Sequence, residues 1–184
     1  MNNSLVTFDS VTSEGGYDVI VVDPPWPVKK IIRKVRPNQT SALDYPTMSI
    51  NDISSLPICD VAADNSLLFL WTTHAFLEVS FGIMRNWGFR YQRCLTWDKG
   101  NGMCLFGFHH RTEFCLFGYR GKINMYPYGK AIPTVFSGRS PRHSAKPDEF
   151  YGLISHLGVR RLDIFARTSR PGWVVWGNEV ESNE

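Results

Sequence analysis

Residues 17–30 read YDVIVVDPPWPVKK, an apolar run that stops on an acid, two prolines and a tryptophan. The first six of these residues are rich in valine, as is typical of a strand that is covered on both faces of a sheet. Pro24 and Pro25 fix φ and lack amide donors, so we expect the strand to end before them. Asp23 and Trp26 would then lie just beyond the carboxyl end of a buried strand.

Strands and helices alternate along the rest of the chain. A capping serine with an acid three residues later begins a helix at Ser49, and Gly88 and Gly158 are placed to end two others. The predicted strands are 17–22, 66–71, 90–97, 113–119, 161–167 and 173–179, the predicted helices are 49–57, 75–87 and 146–158, and the main predicted loops are 27–45, 100–111 and 121–143. This alternation indicates an α/β fold with helices on both faces of the sheet. We expect one domain spanning residues 1–184.

The composition is that of an ordinary soluble globular protein, with 43% hydrophobic and 20% charged residues among 184. A net charge of +3 suits an anionic partner. Residues 1–10 lack the pattern of a signal peptide, and no run is long enough to span a membrane. The four cysteines form no C-x-x-C pair, which is typical of reduced thiols in a cytoplasmic protein. Their spacing to His109 and His110 fits no metal module, so we expect no bound metal.

The residues that end the first strand suit a particular ligand. In open α/β sheets, ligands bind beyond the carboxyl ends of the strands. The Asp23 carboxylate and the Pro24 carbonyl can accept two hydrogen bonds, and an exocyclic amine on a planar ring supplies two. Trp26 offers a flat face for such a ring. This pattern favours an adenine amino group as the ligand; the alternative interpretation is a proline turn that follows an exposed acid.

Six short motifs carry a resemblance to a known family. They are DPPW (23–26), YPTMS (45–49), LFLWTT (68–73), EFCLFGYRG (113–121), KPDEFY (146–151) and GNE (177–179). The chain resembles, in this order and over nearly all of residues 17–180, the MT-A70 family of S-adenosylmethionine-dependent N6-adenine methyltransferases, in the style of short bacterial or phage members. The resemblance implies a Rossmann-like methyltransferase fold with a mostly parallel sheet, permuted so that the catalytic motif precedes the donor-binding motifs.

The resemblance also implies roles for individual residues. The catalytic residues would be Asp23, Pro24, Pro25 and Trp26; Asp23, Lys146, Arg167, Asn178 and Glu179 would bind the donor; and Trp26, Tyr45 and Glu113 would bind the substrate. Lys146 would contact the methionine part of S-adenosylmethionine, and Asn178 its ribose. Thr168 and Ser169 depart from a Pro-His pair in the mRNA enzyme, so a histidine contact to the donor carboxylate is missing. The donor is already activated, so no metal is needed.

A basic loop leaves directly from the DPPW motif and returns at Tyr45. Lys29, Lys30 and Arg33 in this loop are expected to hold the phosphates of nucleic acid; the alternative is a solvated run of charge. DNA is favoured as the substrate because nothing resembles the zinc fingers or RGG tails that bring such domains to RNA. RNA methylation and a catalytically silent scaffold subunit remain the alternatives. A homodimer, in which a second copy helps to hold the substrate, is compatible with this pattern.

Overall fold

The computed structural model describes residues 8–28, 46–102, 104–105, 107–123, 131–139 and 145–177. The strands are β1 (Tyr17–Val22), β2 (Ala62–Thr72), β3 (Arg90–Asp98), β4 (Cys104–Leu105), β5 (Phe108–His109), β6 (Thr112–Arg120), β7 (Val135–Ser137), β8 (Arg161–Ile164) and β9 (Val174–Trp176). The helices are α1 (Ile50–Ser54), α2 (Ile58–Val61), α3 (Leu77–Asn86) and α4 (Asp148–Ile154), and a 3-10 turn spans Asp9–Val11.

Within the described part of the chain, seven strands form one sheet in the order β7-β3-β6-β2-β1-β8-β9. Strand β1 is parallel to both of its neighbours, β2 and β8. Of these seven described strands, only β6 runs against its neighbours, β2 and β3, while β7 and β9 are parallel to the strands beside them. The predicted α/β class, with a mostly parallel sheet and a methyltransferase-like arrangement, is confirmed.

Two hydrophobic cores cover the two faces of this sheet. Ile20 and Val22 of β1 pack in the core that also contains the buried residues of α1, α2 and α3. Val19 and Val21 point to the other core, against the buried residues of α4. All four side chains are fully buried. The apolar run in β1 therefore reflects burial on both faces, as predicted.

Two of the three local signals at the helix ends act as expected. The Ser49 hydroxyl oxygen accepts a hydrogen bond from the Asp52 amide at 3.1 Å and its O–H donates to the Asp52 carboxylate at 2.8 Å. Gly88 adopts φ +82° directly after the last turn of α3, and Gly158 adopts φ +59° before β8. These left-handed conformations cost little for glycine. Gly88 follows the C-cap of α3 and ends that helix as predicted. Helix α4 already ends at Ile154, so the prediction that Gly158 ends it was wrong.

Several predicted boundaries were wrong. Strand β8 stops at Ile164 because Phe165 turns the chain with φ +64°, so the predicted strand over 161–167 is too long. The predicted loop at 100–111 contains the β4–β5 hairpin, and the predicted loop at 121–143 contains β7. Strand β2 has 11 residues, from Ala62, which pairs with Tyr17 of β1, to Thr72, which pairs with Phe114 of β6, so the predicted strand at 66–71 is too short.

The connections on the two sides of β1 create a crevice at the carboxyl edge of the sheet. The chain leaves β1 for β2 past α1 and α2 on one face, whereas it enters β8 from α4 on the other face. The boundary between β1 and β8 is thus a topological switch point, the usual position of a ligand in open α/β sheets. No helix in the described residues has the length and apolar character to cross a membrane.

Candidate active site

Backbone hydrogen bonds fix the tetrapeptide at the end of β1. The Asp23 amide donates to the Ile164 carbonyl of β8 at 3.2 Å, which continues the β1–β8 ladder by one residue. The Pro25 carbonyl accepts from the Met48 amide at 2.9 Å, so the segment before α1 is tied to the tetrapeptide. The Pro24 carbonyl accepts from the Trp26 amide at 2.8 Å and keeps a second lone pair for another donor.

Trp26 is held inside the protein. Only 5% of the residue is exposed, its Nε1 donates to the Trp71 carbonyl at 3.1 Å, and its ring stacks on Phe76 with centroids 5.1 Å apart. In this arrangement Trp26 anchors the tetrapeptide to β2 and to the beginning of α3. The predicted stacking of Trp26 on a base stays a prediction, and it requires that one face of the ring becomes accessible.

Four charged side chains alternate in sign beside the tetrapeptide. The Lys146 Nζ lies 3.0 Å from Asp23 Oδ2 and 3.3 Å from Glu113 Oε2. The Lys99 Nζ lies 3.0 Å from Glu113 Oε1. Lys146 also stands 5.0 Å from the centre of the Trp71 ring, and its side chain is only 11% exposed. Lys146 therefore holds both acids, and through them it fixes the direction of the Asp23 carboxylate.

This arrangement changes the pKa values of its members. Burial raises the pKa of Asp23, with Lys146 opposing the rise. Burial alone would also raise the pKa of Glu113, but attraction by Lys146 and Lys99 outweighs it and lowers that pKa. For Lys146, the two acids outweigh burial and raise the pKa. Near neutral pH, Lys146 is charged and Glu113 is ionised, and Asp23 is the acid of the pair that takes up a proton more readily.

A crevice opens beside Asp23 between the ends of β1 and β8. Its space is about 250 Å³, part of it open to solvent. The lining residues are Asp23, Ala145, Lys146, Tyr151, Asp163, Phe165, Ala166, Arg167, Thr168 and Arg170. Acids and cations thus share one small concave surface at the switch point. Such a mixture suits a ligand that carries both positive and negative groups.

The crevice contains a polar cluster that the sequence did not predict. Asp163 on β8 is 2% exposed and accepts a hydrogen bond from the Tyr151 hydroxyl at 2.7 Å. Burial raises the pKa of Asp163 to about 7, although the Tyr151 hydrogen bond and the charge of Arg170 oppose the rise. The Arg170 guanidinium lies 3.7 Å from the centre of the Tyr151 ring and 2.9 Å from Asp148 Oδ1. An acid inside an otherwise buried strand was the signal that could have revealed the cluster.

The backbone of the crevice is strained at one position. Phe165 lies directly after β8 and has φ +64°, a conformation that costs a non-glycine residue on the order of 1–3 kcal/mol. Its amide donates to the Trp176 carbonyl of β9 at 2.6 Å, and the two rings pack edge to face with centroids 5.4 Å apart. These contacts hold the turn that carries Arg167 into the crevice lining.

The structure brings part of the predicted site together. Asp23, Glu113, Lys146 and Arg167 meet at the carboxyl edge of the sheet. Lys99 joins them, and no pattern in the sequence predicted it. Six predicted residues lie outside the described part of the chain, and their roles stay predictions: Lys29, Lys30, Arg33, Tyr45, Asn178 and Glu179.

A comparison with protein-family models gives a match to one family. The model described as MT-A70 matches residues 17–179, most of the chain, and this range contains both the tetrapeptide and the crevice. The chain belongs to the MT-A70 family. Methyltransferases of this family are N6-adenine methylases and generally use S-adenosylmethionine as the donor. The resemblance seen in the sequence is confirmed.

The similar curated proteins include eukaryotic and bacterial methyltransferases. The chain is 28% identical to the N(6)-adenosine-methyltransferase catalytic subunit METTL3 of Homo sapiens over 96% of its own length and 30% of METTL3. It is 28% identical to the MT-A70-like protein of Drosophila melanogaster over 95% of its own length and 28% of that protein. It is 27% identical to the Type II methyltransferase M.MunI of Mycoplasma sp over 91% of its own length and 79% of M.MunI. The chain thus spans less than a third of the two eukaryotic relatives and most of M.MunI.

The crevice fits the donor that MT-A70 methyltransferases generally use. S-adenosylmethionine carries a carboxylate, an ammonium group and a sulfonium, so it needs both signs of charge around it. Lys146, Arg167 and Arg170 supply cations and Asp163 supplies an acid, on the lining of the same crevice that Asp23 borders. Asp163 is nearly fully buried, so the protein holds this polar side chain in place, unlike an ordinary solvated acid on the surface.

Proposed function

We propose that this protein transfers a methyl group from S-adenosylmethionine to N6 of adenine in DNA. The observation that carries the proposal is the position of the Asp23 carboxyl. It lies at the end of β1, is held by Lys146 at 3.0 Å, and lines the crevice at the switch point of the sheet. Membership in the MT-A70 family supports the reaction type.

On the substrate side, Asp23 and Pro24 act on the adenine amine. The lone pair of this amine is delocalised into the ring, which makes it a poor nucleophile. The Asp23 carboxylate and the free lone pair of the Pro24 carbonyl accept its two protons as hydrogen bonds, which favours a tetrahedral nitrogen. Lys146 fixes the Asp23 carboxylate, and such positioning supplies several kcal/mol of a typical barrier. Asp23 can then take the proton that the methylated amine releases.

On the donor side, the crevice residues bind and orient. When bound, S-adenosylmethionine supplies an activated methyl group on its sulfonium. Arg167, with Lys146 where its pairing with the two acids allows, attracts the carboxylate of the donor. Asn178 and Glu179 come after β9 in the sequence, and an acid beyond the end of a strand is how α/β folds commonly hold ribose hydroxyls, so we assign both residues to the donor ribose.

The choice of DNA over RNA is the finer part of the proposal. The match to M.MunI supports DNA, since the chain covers 79% of that protein and only 30% of METTL3. The similarity to the N(6)-adenosine-methyltransferases keeps RNA as the second candidate. We assign to the nucleic acid Lys29, Lys30, Arg33 and Tyr45, because the predicted loop that contains them follows the catalytic tetrapeptide in the sequence. A catalytically silent scaffold would not need the acid of the tetrapeptide and the donor crevice, which are both present.

The test uses DNA and RNA strands of identical sequence. The purified protein is incubated with isotope-labelled S-adenosylmethionine and each strand, and the nucleosides are separated by mass spectrometry after digestion. We expect N6-methyldeoxyadenosine at several times the yield of N6-methyladenosine. A higher yield from RNA would transfer the proposal to the second candidate, and binding of the donor without any methylation would favour the scaffold.

A further inference from the structure

The β4–β5 hairpin lies on the same edge of the sheet as Asp23. Strand β3 ends at Asp98 and β6 begins at Thr112, so the hairpin between them projects from the carboxyl edge. The residue after Thr112 is Glu113, which shares Lys146 with Asp23. Only β2 separates β6 from β1. Two strand spacings amount to about 10 Å, so the base of the hairpin stands close to the catalytic carboxyl.

The base of this hairpin is clamped. Arg111 pairs with Asp98 through two parallel contacts of 2.5 and 2.6 Å, the bidentate geometry that gives orientation as well as attraction. The Gly100 amide donates to Asp98 Oδ1 at 2.8 Å, and the Lys99 amide donates to the Arg111 carbonyl at 3.0 Å. The hairpin therefore leaves the sheet in a defined direction.

A histidine after β2 contacts the base of the hairpin. The His74 Nε2 lies 3.0 Å from the Thr112 hydroxyl oxygen, and the His74 ring packs 5.3 Å from that of His110 and 4.7 Å from that of Phe114. These contacts join the end of β2 to the beginning of β6, on the side of β6 that faces β1. The base of the hairpin is thus tied to the end of β2, the strand that lies between β6 and β1.

The tip of the hairpin exposes a large aromatic ring. Phe108 is 75% exposed, and two histidines with ring N–H donors follow it, His109 and His110. Single exposed hydrophobic residues are common on proteins and need no explanation by themselves. Val159, for example, is 83% exposed at the opposite edge of the sheet, before β8. Phe108 differs because it is a flat ring, lies at the catalytic edge and is followed by groups that suit phosphates.

We infer that Phe108 stacks on a nucleotide base next to the target adenine, while His109 and His110 donate hydrogen bonds to the backbone phosphates of that strand. The inference rests on the proposed function. An enzyme that acts on the amine of a base must take that base out of its stack, which leaves the neighbouring base with a free face. Exposed aromatic side chains beside cationic or N–H groups bind such faces with little dependence on sequence.

The test measures the affinity of the protein for short single strands that contain one adenine. One strand is intact, and two others carry an abasic nucleotide on either side of the adenine. The proteins compared are the wild type, Phe108→Ala, Phe108→Trp and the matched control Val159→Ala. We expect Phe108→Ala to bind the intact strand on the order of tenfold more weakly, whereas Phe108→Trp and Val159→Ala bind it as the wild type does. S-adenosylmethionine affinity should be the same in all four.

The abasic strands make the test specific for stacking. One of them should weaken binding by the wild type to the level of Phe108→Ala and should not weaken Phe108→Ala further. Equal abasic penalties in both proteins, or equal affinities of Phe108→Ala and Val159→Ala, would overturn the inference while leaving the proposed function intact. Loss of a dimer in Phe108→Ala, at unchanged strand affinity, would assign the surface to a second copy of the chain. A wild type that binds the donor but no strand would overturn the inference and the proposed function together.

Discussion

At the scale of single residues, the site depends on one lysine that serves two acids. Lys146 contacts both Asp23 and Glu113, so its charge is the largest attraction that keeps these buried carboxylates ionised. The family resemblance assigns Lys146 to the donor, whereas its contacts in the structure place it between the acids. The two roles predict different kinetics, which allows them to be separated.

Lys146→Gln should move the acidic limb of the pH profile of kcat/KM to higher pH. Loss of the cation removes the attraction that opposes burial, so the pKa of Asp23 rises further, and the ionised form that accepts from the amine appears only at higher pH. Lys122→Gln, an exposed lysine after the end of β6, is the control and should keep the wild-type profile. A higher KM for S-adenosylmethionine with an unmoved acidic limb would show that Lys146 serves the donor alone.

At the scale of elements, Trp26 joins three parts of the chain. It belongs to the segment after β1, donates to β2 through Nε1, and stacks on Phe76 at the beginning of α3. The sequence suggested a ring for a base, because a tryptophan next to an acid and two prolines looks like a binding surface. Its burial shows that Trp26 has a structural role. The sequence pattern could not reveal this role, because its partners Trp71 and Phe76 are distant along the chain.

Trp26→Ala should lower the free energy of unfolding by about 3–5 kcal/mol, as expected for removing a large buried ring. Trp26→Phe should cost less, because it keeps the stacking and loses the hydrogen bond to the Trp71 carbonyl, roughly 1–3 kcal/mol. Phe108→Ala is the control for an exposed aromatic residue, with an expected change within about 0.5 kcal/mol. Denaturant unfolding measures all three. A loss of activity in Trp26→Ala at unchanged stability would leave Trp26 with a role in substrate contact alone.

The predicted basic loop after the tetrapeptide is expected to bind nucleic acid. The triple substitution of Lys29, Lys30 and Arg33 by alanine should weaken binding of nucleic acid and reduce the slope of log affinity against log salt, since fewer counterions are released. Donor affinity, measured by calorimetry, should stay the same. If the triple variant binds DNA and RNA like the wild type at every salt concentration, the charges of the loop are only a solvated surface.

A helix or strand can be predicted from the sequence when residues near it in the chain determine where it begins and ends. The Ser49 cap and Gly88 after α3 act through neighbouring residues, and both were predicted correctly. The predicted end of α4 at Gly158 was wrong, because that helix ends at Ile154. Strand β7 has three residues and exists through its pairing with β3, so no local pattern indicates it. The end of β8 at Phe165 depends on a hydrogen bond to Trp176 and was missed for the same reason.

At the scale of the whole molecule, one buried acid links folding to pH. Asp163 lies under the crevice and remains protonated in the folded protein up to about pH 7, whereas in the unfolded chain it releases its proton near its ordinary pKa of 3.8. Between these values the folded state binds more protons than the unfolded state. The contribution of Asp163 to stability is therefore complete at low pH and is lost as the pH rises to about 7.

Asp163→Asn removes this dependence and keeps an oxygen that accepts from the Tyr151 hydroxyl. Relative to the wild type, the free energy of unfolding of the variant should rise by roughly 1.4 kcal/mol for each pH unit between about 5 and 7 and level off above that. Urea unfolding at pH 5, 6, 7 and 8 measures the difference. A difference that does not change with pH would mean that Asp163 ionises in the folded protein as it does in water.

We expect Asp23 to activate the amine of adenine for methyl transfer. The measurement is the single-turnover rate of N6-methyldeoxyadenosine formation on adenine-containing DNA, for the wild type, Asp23→Asn and the exposed control Asp60→Asn. We predict that Asp23→Asn is slower by at least about 100-fold, with the affinity for S-adenosylmethionine changed by less than about threefold, whereas Asp60→Asn matches the wild type. An Asp23→Asn rate close to that of the wild type, or a methyl group found elsewhere than N6, would show that Asp23 does not activate this amine for methyl transfer.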